Sequence, residues 1–149
     1  MNDDKEVSLR SGINAFEAKH FALAQKFLSP FADAGNADAQ YRMAIMYQNG
    51  LGMVANELMA FKNMKGAAEQ GLDLAQHGLG FMYMEGECID QDGEKAILWF
   101  TKAAEQGLVG SQATLATIYE EGLAGVPVDL EKARDWYRKA GFDEKANQI

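Results

Sequence analysis

Cysteine is almost missing from this 149-residue chain: Cys88 stands alone. No internal disulfide can form, and without a CxxC partner or a His-Asn set Cys88 reads as a half-buried loop residue rather than a nucleophile. Histidine is nearly as scarce. His20 and His77 lie far apart in sequence and lack a ligand-spaced companion, whereas a metal needs several converging ligands. Proline occurs only as Pro30 and Pro127, and Pro30 is expected to kink its helix or give its first part an irregular end. No apolar run reaches about 18 residues, so no membrane-spanning helix is expected. Positive charge is in deficit, with 14 Lys and Arg against 22 Asp and Glu, for a net charge of -8. Nucleic-acid phosphates would be repelled by that excess. A basic protein partner stays compatible with it, although acidity also serves solubility alone. The opening MNDDKEVSLR lacks the basic and apolar regions of a signal peptide. The expected location is therefore cytoplasmic, or periplasmic or secreted if a leader has been removed. Phosphate-loop, serine-triad and GxGxxG patterns are missing. Asp90-Gln91-Asp92-Gly93 carries part of a calcium-loop pattern without the full ligand series. Together these absences lead us to expect no enzyme, no catalytic residue, no metal and no cofactor.

What the chain does have is internal repetition. Gln40, Gln76 and Gln112 recur every 36 residues, as do Tyr47, Tyr83 and Tyr119, and Gly50, Gly86 and Gly122. Gly35, Gly71 and Gly107 keep the same step. The unit is best seen from Asp73 to Leu108, where two helix patterns flank a polar loop centred on Gly86. Each helix needs its partner, and each pair a neighbouring pair, to bury its apolar face. A period of this size with two helices per unit predicts an α-solenoid, which we read as all-α, right-handed and built of about four antiparallel helix pairs.

Taken in order, Met1 to Asp4 are expected to fray. Residues 5–36 form an N-terminal capping pair with a very short joint at Lys19-His20. Repeats follow at 37–72, 73–108 and 109–141, and 142–149 form a C-terminal tail or cap over the exposed end. Ala60 to Ala96 spans 36 residues but Ala96 to Ala133 spans 37, so the last loop holds one extra residue, which costs little. Small residues (Ala39, Ala44, Ala75, Gly80, Ala116) let helices approach, and Met43, Leu79, Leu115, Met46, Met82 and Ile118 fill the space between. The tyrosine rings are expected to be buried with their hydroxyls reaching a backbone group or water. Gly50, Gly86 and Gly122 suit helix ends that need positive φ. Asp92 and Asp129 suit helix N-caps.

The residues Ala75, Leu79, Tyr83, Gly86, Asp92, Lys95, Ala96, Trp99, Phe100, Lys102, Ala103, Ala104 and Gly107 spell a pattern that resembles Sel1-like repeats, relatives of tetratricopeptide repeats. Leu115 to Ala140 repeats it. The unit from Ala37 departs from it, with Asn63 in place of the tryptophan and Asn56 in place of aspartate. Residues 12–24 look more like a plain tetratricopeptide unit. The resemblance implies a binding scaffold. It also implies that first helices line a concave face.

On those helices the rows Tyr41, Ile45, Gln48 and His77, Phe81, Met84 and Ala113, Thr117, Glu120 each share one side. Ile45 and Phe81 are expected to lie exposed beside Tyr41, His77 and Met84, as an apolar strip with polar flanks. The candidate partner-binding residues are Tyr41, Arg42, Ile45, Gln48, His77, Phe81, Met84, Thr114 and Thr117. Glu85, Glu87, Asp90, Glu120 and Glu121 form a candidate acidic edge able to steer a basic partner. The expected function is a monomeric, non-enzymatic protein–protein interaction scaffold that takes a peptide or partner protein into its groove. An inhibitor or immunity-type partner is one variant of it. The alternatives are a repeat-built hydrolase and a self-assembling array.

Overall fold

The computed structural model describes residues 2–149. Among the described residues there are nine α-helices, one short 3-10 turn and no strand. The helices are α1 (Asn2–Glu17), α2 (Phe21–Asp33), α3 (Ala37–Asn49), α4 (Glu57–Glu69), α5 (Asp73–Glu85), α6 (Gly93–Glu105), α7 (Val109–Glu121), α8 (Leu130–Lys139) and α9 (Asp143–Asn147), with the turn at Leu123–Gly125. Of the segment expected to fray, Met1 lies outside the described residues, and Asn2 to Asp4 belong to the first turn of α1.

One set of local rules starts and stops the repeated helices. The side chains of Asn36, Asn56, Asp92 and Asp129 each accept the backbone N–H three residues on. Each thereby satisfies a donor that has no partner inside the helix. Asparagine at 56 caps as well as aspartate does, because both offer a side-chain oxygen at the same reach. The backbone N–H of Asn56, Asp92 and Asp129 also donates to the carbonyl of Tyr47, Tyr83 and Tyr119, at 2.9, 2.9 and 2.8 Å. That bond ties the start of each second helix to the end of the first. The extra residue of the last loop is taken up by the 3-10 turn, where Ala124 adopts φ 54°.

The chain divides into two compact units, Met1–Ala75 and Gln76–Ile149, with the division inside α5. In the first, Ala15, Ala24, Leu28, Ala32, Ala39, Met43 and Met46 form the core. A Cβ on Gly12 would lie 2.7 Å from the Leu28 side chain, so glycine there is what lets α1 approach α2. The tight joint between them puts Lys19 at φ 63°. Contrary to the expected irregular end, Pro30 sits inside a single α2 that runs on to Asp33. Its missing N–H deprives only the carbonyl of Lys26, and both residues are exposed, so water can serve that oxygen.

In the second unit Leu79, Met82, Phe100, Leu115 and Ile118 are fully buried. A Cβ on Gly80 would meet the Phe100 ring at 2.9 Å, so the glycine makes room for the aromatic side chain. The C-terminal residues fold onto α7 and α8. Ala146 packs on Ala116 and Tyr137, Lys145 pairs with Glu120 at 3.5 Å, and Arg134 donates to the Ile149 carbonyl at 2.9 Å. Tyr83 is buried as expected, whereas Tyr47 and Tyr119 are half-buried.

The glutamine column has a physical reason too. Gln70 donates to the Oε1 of Gln40 in the first unit, and Gln106 to the Oε1 of Gln76 in the second, both at 2.9 Å. At the third position the Oε1 of Gln112 is buried with no hydrogen-bond partner among the described residues.

Candidate functional site

In the second unit, Phe81 and Met84 of α5, Ala113, Thr114 and Thr117 of α7, and Leu123 of the turn line one open pocket of about 270 Å³. Four of the sequence-predicted residues therefore converge: Phe81, Met84, Thr114 and Thr117. Phe81 is 39% exposed. Its inner edge leans on Phe100, edge-to-face at 5.4 Å, and on His77 at 5.0 Å. His77 meets Phe100 at 5.2 Å, which closes a three-ring cluster. Its Nδ1 lies 2.7 Å from the Oγ of fully buried Ser111. Burial holds the imidazole below its ordinary pKa, because the charged form would lose its water.

The two threonines bond back along their own helix. Thr114 Oγ1 donates to Gly110 at 2.7 Å, and Thr117 Oγ1 to Ala113 at 3.1 Å. With those protons engaged, the wall offers a ligand apolar surface and acceptor oxygens. Among the lining residues no nucleophile stands beside a base.

Met84 is a correction: it was expected on the exposed strip and is 7% exposed. It lies in the last turn of α5, where the following loop folds back and Gln91 donates to its carbonyl at 2.8 Å. Ile45 is likewise half-buried rather than exposed. In the first unit, Tyr41, Arg42 and Gln48 are also half-buried. Arg42 is engaged within the chain. It lies 3.7 Å from Glu17 and 3.8 Å from Asp38, donates to the Asp38 carbonyl at 3.1 Å, and stands over the Phe16 ring at 5.9 Å. Burial raises the Tyr41 phenol above its ordinary pKa, with adjacent Arg42 opposing.

Along the acidic edge Glu85, Glu87, Asp90 and Glu121 are exposed. Glu120 departs from that expectation. It accepts the Tyr137 hydroxyl at 2.5 Å and pairs with Lys145, so the charge meant for the edge is turned inward. Burial first, and the bond to Glu120 second, raise the pKa of Tyr137.

Sequence reasoning missed Leu123, because a loop leucine carries no periodicity. It also passed over a larger cleft of about 850 Å³ in the first unit, lined by α4 together with Ala32, Asp33 and Gln40. The available signal for that cleft was Asn63 in the tryptophan column.

Capped helix pairs that recur with glycine ends and a shared glutamine column define an α-α repeat protein. The family model of the Sel1 repeat matches residues 37–72, 73–108 and 110–141, and the chain belongs to that family. It is similar to a protective antigen of uropathogenic Escherichia coli displaying an SLR fold, at 33% identity and TM-score 0.83, over 92% of this chain and 30% of that one. It is also similar to a Sel1 repeat protein from Oxalobacter formigenes, at 31% identity and TM-score 0.81, over 93% of this chain and 57% of that one. The chain thus spans about a third and somewhat over half of these two bacterial relatives. No curated protein sequence matches it. The fold is the all-α solenoid class of these repeats, and proteins built from them generally mediate protein–protein interaction without catalysis. No helix among the described residues is long and apolar enough to cross a membrane.

Proposed function

We propose that this protein is a non-enzymatic interaction module that grips one apolar side chain of a protein partner in the α5–α7 pocket. The observation that carries this reading is the pocket itself: a half-exposed phenylalanine braced from behind by two rings, facing threonines whose hydroxyl protons are already engaged. Its volume suffices for a ring-sized side chain, since a dry cavity of about 150 Å³ takes up benzene. Burying such a group contributes about 1.5–3 kcal/mol, enough to anchor a peptide whose remaining contacts set orientation. Exposed Glu85 and Glu121 stand one helical turn beyond Phe81 and Thr117, so a basic residue beside the anchor suits the site.

The test is affinity capture of partners with the wild-type chain and with Phe81→Glu. Phe81 is exposed enough for the variant to fold, which circular dichroism checks. A carboxylate in the pocket is expected to weaken capture at least about tenfold. Equal capture by a folded Phe81→Glu variant would refute this reading.

A further inference from the structure

The cleft in the first unit lies where two residues of α4 depart from the later repeats. In the later repeats a tryptophan with a lysine one turn on shares the outer face of the second helix. Lys102 stands over the Trp99 ring at 5.8 Å, and Lys139 over Trp136 at 4.3 Å. In α4 the same two positions hold Asn63 and Gly66. Both line the cleft; at Gly66 the Gln40 amide packs where a Cβ would lie, at 3.0 Å, so the opening is on the Asn63 side, in the tryptophan column.

The vacancy is not chemically bare. Asn63 is 8% exposed and donates through Nδ2 to the Met59 carbonyl at 2.9 Å. Among the described residues no hydrogen bond to its Oδ1 is present, so a residue that lines the cleft keeps an unused acceptor. Leu58, Met59 and Phe61 supply apolar wall, with Leu58 74% exposed. Lys62 and Lys65 line it as well. Lys65 stands over Phe61 at 5.9 Å and pairs with Glu69 at 3.9 Å, while exposed Lys62 has no ion-pair partner among the described residues. An ammonium group is complemented by the electron-rich face of an aromatic ring.

We propose that this cleft is a second recognition site and that its ligand is a tryptophan side chain presented by a partner protein. The indole N–H donates to Asn63 Oδ1, the ring lies against Leu58 and Met59, and Lys62 covers its face. The guest thereby restores from outside the arrangement that Trp99 with Lys102 and Trp136 with Lys139 build from within.

The experiment is a titration of the isotope-labelled full chain with N-acetyl-tryptophanamide, using N-acetyl-leucinamide as the non-aromatic control. The tryptophan probe is expected to shift the Asn63 side-chain amide and the Gly66 backbone amide at millimolar concentration, and the leucine probe to leave them in place. In Asn63→Trp the Gly66 response disappears, and the melting temperature is equal to or above that of the wild type because the chain now fills its own slot. Lys62→Met weakens the probe about two- to five-fold. Unmoved resonances, equal response to the leucine probe, an unchanged response in Asn63→Trp, or a less stable Asn63→Trp would each overturn the proposal. Self-association that Asn63→Trp abolishes would place a second copy's indole there and overturn the assignment to a separate partner.

Discussion

Helices α4 and α6 are one design executed twice with different contents. Each has 13 residues, each starts on a capping Asn56 or Asp92, and each ends with a glutamine N–H donating to the paired alanine carbonyls, Ala67 with Ala68 or Ala103 with Ala104. Four positions are identical, and among the nine that differ three bear on the sites described: Met64 against Phe100, Asn63 against Trp99, Gly66 against Lys102. In the second unit, Phe100 needs Gly80 behind it and in turn supports Phe81 at the pocket mouth. In the first, the equivalent positions hold Met64 and Ala44, and a cleft opens beside α4 instead. Caps and small residues set the backbone of a repeat, while a few fillers decide which face is left open.

The strongest way to break this comparison is to empty the filler. Phe100→Ala is expected to cost about 3–5 kcal/mol in urea unfolding, since the ring is fully buried. A cost under about 1 kcal/mol would mean that the ring is not what holds α5 to α6. Gly80→Ala is expected to cost about 1–3 kcal/mol from overpacking against that ring, set against up to about 1 kcal/mol of helix propensity gained. Combined with Phe100→Met, which recreates the Ala44 and Met64 pair, it should cost less than the two changes summed. Simple additivity in that double-mutant cycle would separate the two positions. Asn56→Ala and Asp92→Ala should each lower stability by about 1 kcal/mol. A large difference between them would show that the two repeats do not share one frame.

The smallest effect is one of pH. Burial keeps the His77 pKa below its ordinary 6.5. The unfolded chain therefore binds the proton at higher pH than the folded chain does. The contribution of His77 is whole above about pH 6.5 and is lost as pH falls from there to the folded value. Melting curves between pH 7.5 and 5.5 should decline less for His77→Gln than for wild type, and parallel curves would contradict the buried imidazole.

Much of the frame was legible because it is local and periodic. The glycines at helix ends and the caps at Asp92 and Asp129 follow from chemistry within a few residues, and a register of 36 repeats them. The convergence of Phe81 with Thr117 followed from the same register. Burial was harder to read at the row's edges. Met84 looks like a surface methionine by helical spacing, yet the returning loop covers it, and loops carry no period. Arg42 looks free until Glu17 and Phe16 of another helix are placed beside it. The cleft at Asn63 was visible only as a departure from the repeat, and Gly66 at the lysine position completes that departure.

A photo-crosslinking phenylalanine analogue placed at Thr117, and in a second chain at Leu98, tests the central claim most directly. Leu98 lies on α6, is 51% exposed and is outside the α5–α7 pocket lining. We expect covalent capture of the partner from position 117 and none from position 98. Capture from 98 with none from 117 would place recognition away from the α5–α7 pocket and contradict the account.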